Sequence, residues 1–462
     1  MRETLVILLL AACGSSAHTP VSTAGFEQIP AEPQRAGDPA KGYDYLINGG
    51  YITCGIPQSL YSRVFGPPAP ADKLTGRTGA NANLPYFYSA ATSSEGIQVV
   101  SANCLTCHSS KINGQLVVGL GAAAGDFTSD PTTDIDAAGN LISDPTEKAE
   151  WQRFDDRMHA IAGFTQTKTI GVNPADNLTA SLMAHRDPAT LAWSDAPLLD
   201  LPPDLVVPVD VPPWWRMANK NAMFYSSAGR GDHARIEMAA SLLCTDSVAE
   251  ATAIDAAFVD VRAWIETLKP PAWPFSVDTD LAGRGKTLFV ENCAMCHGTY
   301  GDGGSYPNLL VPIDVVGTDP TLATGASQFA DRYVQWFASS FWGQTSRLEP
   351  KQGYVAPPLD GIWATAPFFH NGSVPTIEGV LDSSKRPQYW TRNFDDSTDY
   401  DQTNVGWNFS PITHGQVDGS SAASNAQIYD TDQLGYSNTG HTFGDFLSDD
   451  ERRAVIEYLK TL

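Results

Sequence analysis

Two short clusters combine the residue types that attach haem covalently. Each has the pattern C-x-x-C-H, with a histidine directly after the second cysteine. In c-type haem attachment the two thiols bond to the vinyl groups of the porphyrin, and the adjacent imidazole ligates the iron. The sequence therefore predicts two covalently bound haem c groups, haem 1 held by Cys104, Cys107 and His108 and haem 2 held by Cys293, Cys296 and His297.

Two other chemistries use closely spaced cysteines, namely a thioredoxin-like redox pair and a zinc site. The segments around the clusters lack the βαβ pattern that accompanies the redox pair. A zinc site formed by all four cysteines would leave both histidines without a role. Haem attachment is the interpretation that uses every residue of both clusters.

The charge balance limits the partners of the chain. Its 462 residues include 29 basic and 52 acidic side chains, for a net charge of −23. Such a surface repels nucleic acid and anionic lipid, and it suits a basic protein. We therefore predict no nucleic-acid partner, and a small redox protein, such as a basic cytochrome or a cupredoxin, as the electron-transfer partner.

The first residues predict export. An apolar run from Leu5 to Ala12 has the length of a signal-peptide core, so residues 1–12 are interpreted as a signal peptide. The run ends in Leu-Ala-Ala-Cys, which resembles the lipobox of bacterial lipoproteins and implies lipid on Cys13. Ordinary cleavage nearby is the alternative. We expect a periplasmic or cell-surface protein, lipid-anchored to the outer membrane, with residues 13–40 as a tether.

The remaining cysteines suggest a disulfide. Cys13 is assigned to lipid and four others to haem, which leaves Cys54 and Cys244. An exported protein folds in an oxidising compartment, where two such thiols can pair.

The chain also contains an internal repeat. The segment 261–269 (VRAWIETLK) aligns with 452–460 (RRAVIEYLK), and the latter follows a capping box formed by Ser448 and Glu451. The segment 211–230 aligns with 356–373, each from a Pro-Pro pair to an aromatic pair. We therefore predict a mainly α fold of two cytochrome c-like domains with long irregular loops, residues 41–271 around haem 1 and 272–462 around haem 2.

Three further segments resemble a known family. TAPFFHNGSVPTIEGVL (365–381), KRPQYW (385–390) and SNTGHTFG (437–444) look like segments of the bacterial dihaem cytochrome c peroxidase superfamily, closest to its rubber-oxygenase-like members. The resemblance implies that one haem is six-coordinate and transfers electrons. The other haem binds peroxide or dioxygen, and an aromatic residue couples the two.

Residue type limits the candidates for the sixth ligand of haem 2. No methionine follows Met295, so His370, His414 and His441 remain as strong ligands. The family resemblance favours His441 and a bis-histidine haem, with His370 as the alternative. For haem 1 the sixth ligand stays open among several residues, which are His159, His185, His233, Met158, Met183, Met217, Met223 and Met238.

Three residues are candidates for chemistry at haem 1. Tyr225 aligns with His370 and follows Phe224 in the aromatic pair that carries the inter-haem residue of the family. His233 and Glu237 could serve as acid and base towards bound peroxide. We predict an exported dihaem oxidoreductase in which haem 1 reacts with peroxide or O₂. A pure electron-transfer cytochrome with two six-coordinate haems is the alternative, and a redox or gas sensor is a third.

Overall fold

The computed structural model describes residues 23–203, 205–328 and 330–462. The predicted signal peptide and Cys13 lie outside the described residues. No helix within those three ranges has both the length and the apolar character needed to cross a bilayer.

The helices and strands are short and are joined by long connections. The helices are α1 Pro39–Asn48, α2 Gln58–Val64, α3 Thr132–Gly139, α4 Pro145–Ile161, α5 Ala175–Ala184, α6 His233–Glu237, α7 Val248–Ile265, α8 Thr279–Asn292, α9 Ala294–His297, α10 Ile313–Val316, α11 Thr321–Gln328, α12 Ala330–Ser339, α13 Ile377–Leu381, α14 Ala422–Ala426 and α15 Asp449–Leu459. The strands are β1 Glu27–Gln28, β2 Ile56–Pro57, β3 Tyr88–Thr92, β4 Gln98–Ala102, β5 Ser109–Ile112, β6 Gln115–Val118, β7 Gly229–Gly231, β8 Leu309–Pro312, β9 Ser346–Leu348, β10 Gly353–Val355, β11 Tyr389–Arg392, β12 Tyr400–Asp401, β13 Gly406–Trp407, β14 Phe409–Pro411 and β15 Tyr429–Asp430.

Two helix pairs form the frame of the molecule. Helix α1 packs on α7, and α8 packs on α15. Each crossing has a glycine at its closest point, because a Cβ atom on Gly42 would overlap the carbonyl of Asp260 and one on Gly285 would overlap that of Ala454. The predicted capping box of α15 is confirmed. Each C-x-x-C-H cluster follows the first helix of one of these pairs along the chain.

The second predicted repeat is also present in the structure. Phe224 and Phe369 both adopt positive φ, 68° and 72°. The backbone turns that contain them close through isolated antiparallel bridges, Met223 with Gly229 and Phe368 with Val374. The aligned segments 211–230 and 356–373 therefore form the same kind of turn.

The expectation of a mainly α chain was wrong. The fold is 38% helical and 13% strand, with several small sheets. Within the described residues, three sheets have three strands, in the orders β1-β8-β10, β14-β11-β15 and β2-β4-β3. Three further sheets are strand pairs, β5-β6, β7-β9 and β12-β13. The connections that were predicted to be irregular satisfy their backbone groups by pairing as short antiparallel strands.

Division into two separate cytochrome c-like domains was also wrong, because the halves share their hydrophobic cores. The largest cluster joins Leu46 and Phe258 to Trp336 and Trp342 from the second half. The second cluster joins Phe289 to residues of the first half that include Ile112 and Trp215. Strands β1 with β8 and β7 with β9 pair across the expected boundary.

The predicted disulfide is confirmed, since Cys54 and Cys244 are joined. It links the segment before α2 to the segment before α7. Both half-cystines are fully buried in the largest core cluster.

Candidate haem centres

The C-terminal cluster is built around one helical turn. Helix α8 ends at Asn292, and α9 follows with the amide of His297 donating to the carbonyl of Cys293 at 3.0 Å. The His297 Nδ1–H donates to the carbonyl of Pro357 at 2.8 Å. This bond leaves Nε2 free to ligate a metal, and the burial that lowers the pKa of His297 favours the neutral, ligating form.

His441 faces His297. Their ring centres are 6.2 Å apart. Metal–imidazole bonds are about 2.0–2.1 Å long, so two imidazoles on one metal ion have ring centres about 6–6.5 Å apart. Burial lowers the pKa of His441 to about 4, with a smaller contribution from His297. The two neutral imidazoles therefore fit a haem iron that both would ligate.

Arg386 holds the loop that presents His441. Its guanidinium donates to the carbonyls of Asn438 at 2.8 Å, Gly440 at 2.6 Å and His441 at 3.1 Å. His441 adopts a φ of 44°, a strained value for a residue with a side chain. Arg386 belongs to the KRPQYW segment, so this contact explains why that segment accompanies SNTGHTFG. Sequence reasoning missed this positioning role.

The two other histidines of the second half lie elsewhere. His370 is buried and stacks on Tyr354, with ring centres 4.1 Å apart. His414 is exposed, and its Nδ1–H donates to the carbonyl of Gly415 at 2.9 Å. Neither residue is brought against His297 as His441 is.

The N-terminal cluster repeats the local geometry of the C-terminal one. The turn Cys104–Thr106 is capped by Asn103, and the amide of His108 donates to the carbonyl of Cys104 at 3.0 Å. Burial lowers the pKa of His108 to about 4, against the opposing effect of the Pro212 carbonyl beside it. Pro212 and Pro357 occupy equivalent positions of the internal repeat. None of the four cysteines of the two clusters forms a disulfide, so all four are available for thioether bonds to haem.

An aromatic ring flanks His108. Trp214 stacks on the imidazole with ring centres 4.7 Å apart and an interplanar angle of 20°. Such stacking fixes the orientation of the ring. The surroundings of His108 thus differ from those of His297, whose ring faces a second imidazole.

Helix α6 supplies the predicted acid–base residues. His233 and Glu237 are four residues apart and share one face of the helix. Nε2 of His233 and both carboxylate oxygens of Glu237 are buried and make no hydrogen bond among the described residues. Burial lowers the pKa of His233 to about 4 and raises that of Glu237 well above its usual value. Burial raises the pKa of Cys104, and Glu237 contributes to the same shift, so its carboxyl group lies near that cluster.

Tyr225 lies apart from that face. Its hydroxyl donates to Oδ2 of Asp210 at 3.1 Å, and its ring meets His370 edge-on at 6.3 Å. A connection between the clusters runs through the residues that follow Pro212. Trp215 donates from Nε1 to the carbonyl of Asp360 at 2.8 Å and packs in the second core cluster.

Arg216 is a further residue that sequence reasoning missed. It is buried, donates from Nε to the carbonyl of Asp360, and contributes to lowering the pKa of His297. The segment 212–216 therefore runs from one cluster to the other. The adjacent tryptophans in the sequence were the signal for this segment.

The other candidate ligands of haem 1 are distributed through the core and the surface. His185 stacks on Trp193 at 4.9 Å, and His159 is exposed and paired with Asp136. The five methionines all belong to the largest core cluster or pack against it: Met158, Met183, Met217, Met223 and Met238.

An apolar cavity of about 550 Å³ lies beside α6. Side chains from the α6 region and from the segment around α12 line it, including Ile236, Leu242, Trp336 and Phe337. Ile236 precedes Glu237, so the cavity borders a neighbouring face of the same helix.

Two family models match the C-terminal part of the chain. A model described as Cytochrome c matches residues 282–359, which include the second cluster. A model described as RoxA-like, cytochrome c-like matches residues 353–391, which include His370 and Arg386. Only one cytochrome c domain is clearly indicated, which is a second reason to correct the expectation of two, and neither match is specific to the peroxidase superfamily.

Two proteins of Sinorhizobium fredii (strain NBRC 101917 / NGR234) are similar to this chain. Uncharacterized protein y4iM is 31% identical over 247 residues, which are 44% of this chain and 53% of that protein. Uncharacterized protein y4iJ is 29% identical over 262 residues, 42% of this chain and 41% of that protein. The chain thus spans about half the length of each relative. Residues 282–391 are therefore a cytochrome c-like region that is similar to the rubber-oxygenase-like cytochromes, and the C-x-x-C-H motif within it is the one that attaches haem c covalently.

Proposed function

We propose that the chain is an exported dihaem c-type cytochrome oxidoreductase. Haem 1, attached to Cys104 and Cys107, would react with peroxide or dioxygen. Haem 2, attached to Cys293 and Cys296, would transfer electrons to it. The contrast between the surroundings of His108 and His297 supports this division.

Haem 2 is proposed to be six-coordinate. The 6.2 Å separation of the His297 and His441 rings supports ligation of one iron by both imidazoles. Such ligation leaves no position for a substrate, and saturated haems serve electron transfer. The bonds from Arg386 to the loop of His441 would hold this ligand in place.

Haem 1 is proposed to be the reactive centre, and the observation that carries this proposal is the pair of unpartnered groups on α6. Haem iron supplies binding and reduction of dioxygen or peroxide. Glu237, whose pKa burial raises well above its usual value, would hold a proton at a carboxyl oxygen and donate it to the substrate. His233 is neutral and its Nε2 would accept a proton.

A buried group without a hydrogen-bond partner costs about 1–3 kcal/mol, so such groups persist mainly where a ligand or a reaction uses them. Glu237 and His233 present three such atoms in one helical turn. If dioxygen is the oxidant, the apolar cavity beside α6 would hold an apolar co-substrate.

Export, lipid attachment and partner remain part of the proposal. The Cys54–Cys244 disulfide supports an oxidising compartment. The lipobox-like residues before Cys13 support an outer-membrane lipid anchor, and the net charge of −23 supports a basic electron-transfer partner, a small cytochrome or cupredoxin.

The test is a carbon monoxide difference spectrum of the fully reduced protein, quantified per haem. We expect one bound carbon monoxide molecule for every two haems in the wild type. In His441→Ala we expect two bound molecules for every two haems. No binding in the wild type would reject the reactive haem 1 and leave the alternative, a pure electron-transfer cytochrome. Binding to both haems of the wild type would reject His441 as a ligand.

A further inference from the structure

A group of metal-ligating side chains lies on α3 and α4, apart from both haem centres. It consists of Asp136 on α3 and of Asp155 and His159 on α4. One ligand atom from each residue lies within 4.8 Å of the others. Asp155 and His159 are four residues apart, so they share one face of α4, and α3 brings Asp136 against that face.

The distances between the ligand atoms of these three residues are those expected if the atoms surround one bound ion. Nε2 of His159 lies 2.9 Å from Oδ1 of Asp136 and 3.8 Å from Oδ1 of Asp155. His159 and Asp136 are both about half exposed, whereas the Asp155 side chain is 7% exposed. The group is therefore open to solvent on one side and closed by Asp155 on the other.

A second observation points to a bound cation. Oδ1 of Asp155 is buried and accepts no hydrogen bond among the described residues, while its other oxygen accepts from Gln152. This oxygen is the one directed at His159. A buried carboxylate oxygen without a donor is costly, and a metal ion would satisfy it.

The charges of the three side chains also agree with a bound cation. Two carboxylates and one imidazole lie close together here. In the described part of the chain, their recorded ion pairs are with His159 and include no lysine or arginine.

We propose that Asp136, Asp155 and His159 bind a divalent transition-metal ion of the zinc class. One imidazole nitrogen and two carboxylate oxygens are ligands that Zn²⁺ takes, at about 2.0–2.2 Å. Ca²⁺ and Mg²⁺ take oxygen ligands, so the histidine disfavours them. The ion completes its coordination with water on the exposed side, and it joins α3 to α4 across the segment 140–144.

The test uses the full-length, haem-loaded protein. The protein is treated with a chelator, equilibrated with micromolar ZnCl₂, desalted, and analysed for zinc and iron by elemental analysis. The measured haem iron serves as the measure of protein concentration. The variants are Asp136→Asn and His159→Gln, and the matched control is Asp156→Asn, which removes an exposed carboxylate next to the site on α4. The Soret spectrum verifies that each variant carries its haem.

We expect the wild type and Asp156→Asn to retain one more zinc ion per protein than Asp136→Asn and His159→Gln. Their melting temperatures should rise with ZnCl₂, and those of the two site variants should rise less. An equal zinc-to-iron ratio in all four proteins, or no zinc in the wild type, would overturn the proposal. Displacement of the extra zinc by millimolar CaCl₂ would overturn its assignment to the zinc class.

Discussion

Replacing Glu237 by glutamine tests the proposed chemistry at haem 1 directly. The two side chains have nearly the same size, and both carboxylate oxygens of Glu237 lack hydrogen-bond partners among the described residues. The substitution therefore breaks no recorded hydrogen bond of that side chain. It removes the proton that the neutral carboxyl group would donate to the substrate.

The expected loss follows from the two groups on α6. General acid–base catalysis by a positioned side chain contributes about 10²–10⁴-fold to rate. His233 remains one turn away in the variant and can still accept a proton. We therefore expect about a 10²-fold slower reaction, which corresponds to about 2.7 kcal/mol in the barrier. A double variant that also carries His233→Ala should approach the upper end of the range.

The assay is stopped-flow absorbance of the reduced protein mixed with H₂O₂ or O₂, followed across pH. The raised pKa of Glu237 means that the proton donor is present below that pKa and is lost above it. The wild-type rate should fall as pH rises through it, and the Glu237→Gln profile should lack this step. Glu291→Gln, which replaces an exposed carboxyl group on α8, is the control for the same substitution elsewhere near a haem cluster.

An unchanged rate and pH profile in Glu237→Gln would refute the role of this carboxyl group. So would an equal loss of rate in Glu291→Gln, since the effect would then not be specific to Glu237. Carbon monoxide binding should be the same in the variant and the wild type, because Glu237 is not proposed as an iron ligand.

Three further predictions concern the disulfide, the crossing of α8 and α15, and the loop of His441. Replacing both cysteines of the Cys54–Cys244 disulfide by serine removes a covalent link between residues 190 positions apart. We expect the free energy of unfolding, measured by chemical denaturation, to fall by up to about 5 kcal/mol. An unchanged denaturation midpoint would contradict this. Gly285→Ala should lower the free energy of unfolding by about 1–3 kcal/mol, because its methyl group would overlap the backbone of α15. Gly283→Ala on the same helix is the control, since its methyl group would meet no atom within 4 Å and should not destabilise the protein. Arg386→Gln should raise the high-spin fraction of the reduced spectrum, because the loop with the proposed ligand of haem 2 loses its bonds to the guanidinium; an unchanged spectrum would argue against positioning by Arg386.

Local features were predictable from the sequence alone. The C-x-x-C-H clusters depend on neighbours within one helical turn, and so does the capping box of Ser448 and Glu451. The repeat of 211–230 in 356–373 was visible because both turns need the same backbone path, with positive φ at Phe224 and Phe369. The disulfide followed from the remaining cysteines, once export was assumed.

The tertiary structure decided what depends on distant segments. The strand pairs across residue 271 and the shared cores overturned the expectation of two separate helical domains, because burial is optimised over the whole chain and leaves no trace in local periodicity. Likewise, the fold brings the loop of His441, which Arg386 contacts, against His297. The absence of hydrogen-bond partners for the Glu237 carboxylate among the described residues depends on what packs around α6. Residue type and spacing determined which groups can perform redox chemistry, whereas long-range packing determined which of them meet, because the free energy of a buried group depends on every neighbour that the fold brings to it.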